Sequence, residues 1–131
     1  MTVTLPWPPN KLNPNARPHW ATKAKEAKRY RATCAAIVRT MMPADDIRQI
    51  REAVASGERL HLWITFDPPD RRPRDDDNVL AAFKSGRDGI ADALGIDDRA
   101  LRVHPWLSDT PIKGGAVRVR LSFGPEGVVD G

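Results

Sequence analysis

Between Arg59 and Phe66 the hydrophobic period becomes two, with Leu60, Leu62, Ile64 and Phe66 on one face and His61, Trp63 and Thr65 on the other. A run of this kind fits a strand with one face in a core, so the chain needs a sheet. A second alternation from Ala116 to Phe123 turns Val117, Val119, Leu121 and Phe123 inward and Arg118, Arg120 and Ser122 outward. Thr2 to Leu5 reads as an edge or opening strand stopped by Pro6, Pro8 and Pro9, and Arg102 to Leu107 as a strand broken by Pro105. Between the first two strands the period changes to three and four. Thr22 is the expected N-cap of a long helix to about Met42, ended by Pro43, with a narrow seam of Ala27, Tyr30, Cys34, Ile37 and Met41. Residues 45 to 55 form a shorter helix on Ile47, Ile50 and Val54, ended by Gly57. A further helix starts near Asp77 or Asn78, passes Val79, Leu80 and Phe83, and ends by Gly95. The expected class is α+β: a small mixed sheet of about four strands, a long N-terminal helix and a second helix after an acidic loop. Residues 1–131 suffice for one domain with a modest core, and the last several residues read as a loose tail.

Several classes are disfavoured. No stretch approaches the roughly 18 apolar residues of a membrane span, and the N-terminus lacks a signal-peptide pattern, so a cytoplasmic protein with no membrane partner is expected. Cys34 is the single cysteine and falls among apolar helical positions, where a small buried hydrophobe is expected rather than a nucleophile. His19, His61 and His104 show no metal-ligand spacing, and no glycine-rich phosphate loop or serine-nucleophile motif is present.

Charge is distributed unevenly. Residues 1 to 42 carry Lys11, Arg17, Lys23, Lys25, Lys28, Arg29, Arg31 and Arg39 against one acid, Glu26. Such a field concentrates polyanions and is the electrostatic footprint of a nucleic-acid binder, although a solvated helix face gives the same pattern. The loop from Asn10 to Trp20 could hold phosphates through Lys11 and Arg17 while Trp20 stacks on a base, with Lys23 following in the helix. Trp7 and Trp20 could equally cover one end of the core.

The chemistry concentrates in Arg71-Arg72-Pro73-Arg74-Asp75-Asp76-Asp77-Asn78, where arginines lead into three adjacent aspartates. Crowded carboxylates repel unless cations neutralise them, which points to a divalent metal, and Arg71, Arg72 and Arg74 suit an anionic substrate. In extended backbone Asp75 and Asp77 would share a side about 6.5 to 7 Å apart, with Asp76 pointing away. The bland alternative is that Asp77 or Asn78 is an N-cap and the others are solvated loop charges. A second acidic pair, Asp97-Asp98, favours a metal-dependent phosphodiester site, in which metal-bound water attacks and a Lys or Arg assists the departing oxygen.

Three segments together resemble the RusA family of Holliday-junction resolvases: Leu5-Pro6-Trp7-Pro8-Pro9-Asn10, then Pro69 through Asn78, then Asp88 through Asp98. Lys113-Gly114-Gly115 before the last strand is similar to the family pattern as well. The resemblance implies a homodimeric endonuclease of α+β fold, dependent on Mg²⁺ or on Mn²⁺ in its place, that nicks paired strands at four-way DNA junctions in bacterial or phage-infected cells. It implies metal ligands at Asp75, Asp77 and Asp98, with Asp97 assisting. DNA contacts are expected from Lys11, Arg17, Trp20, Lys23, Arg71, Arg72, Arg74 and Lys113. The family lysine normally follows the second aspartate by four residues, where this chain has Ala81; Lys84, seven residues on, shares that helical face one turn further along. An unbroken helix from Asn78 to Leu94 would be about 25 Å long and would carry Asp98 far from Asp77. A break at Gly86 or Gly89 is favoured over supply of Asp98 by a two-fold partner. The alternative from another class is a non-catalytic basic DNA-binding protein whose acidic loops are structural.

Overall fold

The structure is a computed structural model that describes residues 2–17 and 19–124. The tail expected at the C-terminus falls on residues 125–131, outside the described residues. Four strands, β1 (Thr2–Leu5), β2 (Leu60–Asp67), β3 (Leu101–Leu107) and β4 (Ala116–Phe123), form a sheet in the order β1-β4-β2-β3. β4 pairs antiparallel with both β1 and β2, whereas β2 and β3 run parallel. The sheet is therefore mixed, and the α+β expectation holds.

Register carries the period-two pattern across the strands. Leu62 lies opposite Leu121 and Val103, Ile64 opposite Val119 and Pro105, and Phe66 opposite Val117 and Leu107, so one face of the sheet is apolar. β3 continues through Pro105 where a break was expected. It lies at the sheet edge, where a residue without an N–H can be accommodated.

Four helices accompany the sheet: α1 (Trp20–Met41), α2 (Ala44–Ala55), α3 (Asp76–Ala82) and α4 (Lys84–Leu94). α1 starts two residues before Thr22, because the His19 ring nitrogen accepts the Ala21 N–H at 3.3 Å and takes the capping position. Its seam departs from the expected one toward the C-terminal end. Tyr30, Cys34, Ala35 and Val38 are buried, Ala27 and Ile37 pack against the core, and Met41 is exposed instead of buried. In α2, Ile50 is buried and Ile47 and Val54 flank it. All of these helices contribute to the same core as Leu60, Leu62, Ile64 and Phe66.

The break in the helix after the acidic loop falls at Phe83, neither at Gly86 nor at Gly89. Phe83, at φ −85° and ψ −1°, caps the end of α3 and the start of α4 and buries its ring completely. There it packs edge-on against Tyr30 at 6.2 Å and Phe66 at 5.6 Å. An aromatic side chain drawn between sheet and α1 thus sets the kink, and the glycines serve a different purpose. A Cβ on Gly89 would stand 2.4 Å from the Arg31 carbonyl oxygen, and one on Gly86 would stand 2.4 Å from the Phe83 ring. Both are buried inside α4 and let it approach α1 closely. Arg31 on α1 and Asp92 on α4 lock that approach through a two-pronged ion pair of 2.6 and 2.8 Å.

Candidate functional site

At the start of α3, Asp75 is the N-cap, its Oδ1 accepting the N–H of Asp77 at 2.8 Å and of Asn78 at 3.4 Å. Helical backbone begins at Asp76, so Asp75 and Asp77 do not share the side of an extended segment as expected. Capping explains the difference, since one carboxylate satisfies two N–H groups that would otherwise lack partners. The positive end of the helix dipole also makes three neighbouring carboxylates tolerable there.

The arginine loop divides by role. The Arg74 guanidinium reaches Asp70 at 2.9 Å, donates to the carbonyls of Asp70 and Arg72 at 3.1 Å each, and lies over the Trp7 ring. It braces the loop, whereas Arg71 and Arg72 are exposed. The Arg72 N–H and then the Arg74 guanidinium hold the Asp70 carboxyl below its usual range. Arg71, Arg72, Arg74, Asp76 and Trp106 share the wall of a cavity of about 500 Å³. Trp7 packs edge-on against Phe66 at 6.2 Å and covers the core end, while Trp20 is 77% exposed. The two tryptophans thus take opposite parts.

The second acidic segment sits at the other end of α4. Gly95, in left-handed geometry at φ 68°, ends the helix and turns the chain into a 3₁₀ turn over Asp98–Ala100. Asp97 caps that turn through the Arg99 N–H at 2.9 Å and pairs with the Arg99 guanidinium at 3.2 Å. These contacts, led by the guanidinium hydrogen bond, hold the Asp97 carboxyl at about 2. Asp97 is engaged with Arg99. Asp98 faces the Lys84 ammonium at 3.4 Å, and Lys84 also holds Asp88 at 2.6 Å. The kink at Phe83 makes Lys84 the first residue of α4.

Sequence reasoning left Asp88, Asp92 and Arg31 without a role. All three line a cavity of about 340 Å³ together with Asp97 and Asp98. The i, i+4, i+8 spacing of Lys84, Asp88 and Asp92 was a readable sign of one charged helical face. Arg31 could not be placed against that face without knowing how α1 crosses α4. Lys84 also borders a groove of about 490 Å³ on which Trp20 and Lys23 stand. Lys11, Arg17 and Lys113 are exposed and border none of these cavities.

Among the described residues, no group of three or more His, Cys, Asp or Glu side chains is gathered as a metal cage. Mg²⁺ is commonly held by one or two carboxylates, with water and substrate phosphate completing its shell. The exposed carboxylates of Asp75 and Asp77 have the hard-oxygen chemistry for that role. No helix among the described residues is long and apolar enough to cross a membrane.

No protein-family model matches this chain. An uncharacterized protein of Xylella fastidiosa (strain Temecula1 / ATCC 700964) is 41% identical over 127 residues, covering 92% of this chain and 75% of that protein.

Proposed function

The chain belongs to the same family as that Xylella fastidiosa protein, and from the site described above we propose that it is a metal-dependent, structure-selective DNA endonuclease of RusA type. Its substrate is the four-way junction, cut by paired nicks during recombination and repair. One observation carries the reading: the turn at Gly95 brings Asp98 of the second acidic segment to 3.4 Å from Lys84 at the start of α4. A lysine shared between α4 and the Asp97-Asp98 turn answers to the amine that the RusA resemblance calls for, despite its later position.

Asp75 and Asp77 would hold Mg²⁺, or Mn²⁺, and Asp98 would be the third acid that the RusA resemblance calls for. When bound, the metal supplies an activated water and stabilises charge developing on phosphorus. Lys84 orients the Asp98 carboxylate through their contact and offers a proton donor to a phosphate or departing oxygen. Arg71 and Arg72 hold the flanking backbone by phosphate contacts, which position DNA without reading its bases. Trp20 and Lys23 across the groove from Lys84 provide a second contact surface. Two nicks on a nearly two-fold symmetric junction call for two sites, so the active form is a homodimer.

A second reading rests on a specific observation. Asp75 and Asp97 both serve as caps, and Lys84 pairs with both Asp88 and Asp98, so these acids have structural uses. On that reading the protein is a basic DNA binder without catalysis. Labelled four-way junctions, flaps and plain duplex incubated in Mg²⁺ with wild type, Asp77→Asn and Lys84→Ala separate the two. The nuclease reading expects paired nicks in junctions by wild type and loss in both variants. Binding of every branched substrate without any cut would sink it.

A further inference from the structure

The sheet face opposite the core carries an unusual set of side chains. Strand register places them in rows across β1, β4, β2 and β3. One row is Thr2, Arg120, Trp63 and His104, and the next is Thr4, Arg118, Thr65 and Trp106. An outward face built for solvent alone would mix short polar and charged residues of both signs. Here two tryptophans stand among arginines, and Trp106 is 68% exposed.

The rings are held in place. Trp63 stacks on His104 with centroids 3.9 Å apart and planes 14° from parallel, while the Arg120 guanidinium lies 5.4 Å over its ring. The Trp63 indole N–H donates to Ser122 Oγ at 2.8 Å, and His61 and His104 share a hydrogen bond of 2.8 Å. Below this stack the short Thr65 leaves a cavity of about 340 Å³, walled by Trp63, His104, Trp106, Arg118 and Arg120. That volume lies in the range of small-ligand pockets. Asp67, the acid of β2 in the row beyond Thr65, is buried and bonded twice to Arg118, at 2.6 and 3.1 Å, so it fixes that guanidinium without presenting negative charge.

We propose that this open face binds single-stranded nucleic acid, with bases stacking at Trp106 and beside the Trp63–His104 pair and phosphates meeting Arg118, Arg120 and the exposed Arg102, which the register sets opposite His61. Ordered aromatic faces interleaved with cations are what a flexible, sequence-tolerant polyanion requires, because every base has a face to stack and every nucleotide a phosphate. Charge selects this occupant over a second copy of the chain, since face-to-face packing would oppose arginine to arginine, with no exposed carboxylate among the described residues of these strand rows. Trp106 also borders the cavity of the arginine loop beside Asp76, so a strand lying on the sheet runs on toward the acidic start of α3. The inference reaches beyond junction cleavage and does not depend on it.

The test measures binding in EDTA by fluorescence anisotropy, with labelled oligothymidine, oligouridine and an abasic oligomer of equal length. Trp106→Ala should weaken binding of the base-bearing oligomers about tenfold and Trp106→Phe should restore most of it. The abasic oligomer should bind wild type and Trp106→Ala alike. Preference between oligothymidine and oligouridine assigns the face to DNA or RNA. Unchanged oligothymidine binding by Trp106→Ala, or equal loss on the abasic oligomer, overturns the platform. So does sedimentation showing a wild-type dimer that Trp106→Ala dissociates, which would give the face to a second copy. Junction cutting assayed separately in Mg²⁺ keeps failure of the platform distinct from failure of the nuclease reading.

Discussion

Replacing Gly89 by alanine puts a methyl group 2.4 Å from the Arg31 carbonyl oxygen and 3.1 Å from both the Ala35 nitrogen and the Cys34 Cβ. Ordinary contact begins at 3.4 Å, so α1 and α4 have to separate by about 1 Å at this point. Two of the three obstacles are main chain, which no rotamer change relieves. Alanine gains about 1 kcal/mol over glycine in intrinsic helix preference. Overpacking in a dense core costs about 1 to 3 kcal/mol and more when backbone has to move. The Arg31–Asp92 pair and the Tyr30–Phe83 contact lie on the same interface and are stretched with it. The net expectation is a loss of about 1 to 3 kcal/mol, read as a fall in Tm of about 4 °C per kcal/mol for a domain of this size. Thermal melts followed by circular dichroism and urea titrations of wild type and Gly89→Ala measure it. A variant that melts at or above wild type would refute the close crossing of α1 and α4, and with it the placement of Arg31 beside Asp92 on one cavity wall.

Three further outcomes are expected. Arg118→Ala strands the buried Asp67 carboxylate and should cost about 2 to 4 kcal/mol in urea unfolding, with much of the loss recovered when Asp67→Asn is added; equal stability of wild type and the single variant would count against the pair. Burial pushes the Cys34 thiol up from 9.0 to about 11 and raises the Tyr30 phenol further. Protons are then held more tightly in the folded state, so stability is level below about pH 9 and falls as pH rises toward 11, by about 3 kcal/mol for Cys34. Cys34→Ser should flatten part of that limb in urea titrations, and an unchanged limb would exclude Cys34 as its source. On the acid side, the Arg99 contacts on Asp97 and the Arg31 contacts on Asp92 depress both carboxyls. Their contribution is therefore present above pH 4 and lost as pH falls toward 2, and Asp92→Asn should lessen the acid limb of a pH–Tm curve.

The sheet was legible because a period of two is a local property, and both β2 and β4 show it within eight residues. The place of the helix break was not. Gly86 and Gly89 weaken a helix in isolation, so sequence reasoning put the break there. Their use is to admit α1, and only the partner helix reveals it. Phe83 breaks the helix because a pocket between Tyr30 and Phe66 draws it in, a cause spread over residues 53 positions apart. In the site, Lys84 was legible as a candidate from its spacing to Asp77, whereas its contact with Asp98 depends on how Gly95 turns the chain. The acidic loop shows the opposite error: an N-cap there was locally readable, at Asp77 or Asn78, yet the extended geometry was preferred for its metal chemistry, and the cap falls on Asp75. The aromatic stack of Trp63 and His104 arises from strand register across 41 residues, which no motif in the chain announces.

The order of strands has a consequence for synthesis. β4 lies between β1 and β2, so among the described residues the last strand to leave the ribosome is the one that ties the first strand to the rest. Until residues 116–123 emerge, β1 has no partner in the sheet and one edge of β2 stands open with Leu62, Ile64 and Phe66 beside it. Pairing across more than 100 residues is slow, and exposed strand edges invite association. A chain halted before β4 therefore leaves β1 unpaired and the β2 edge open, a state exposed to proteolysis. For a protein proposed to cut DNA, the sheet beneath the acidic loop is thus incomplete until β4 joins it.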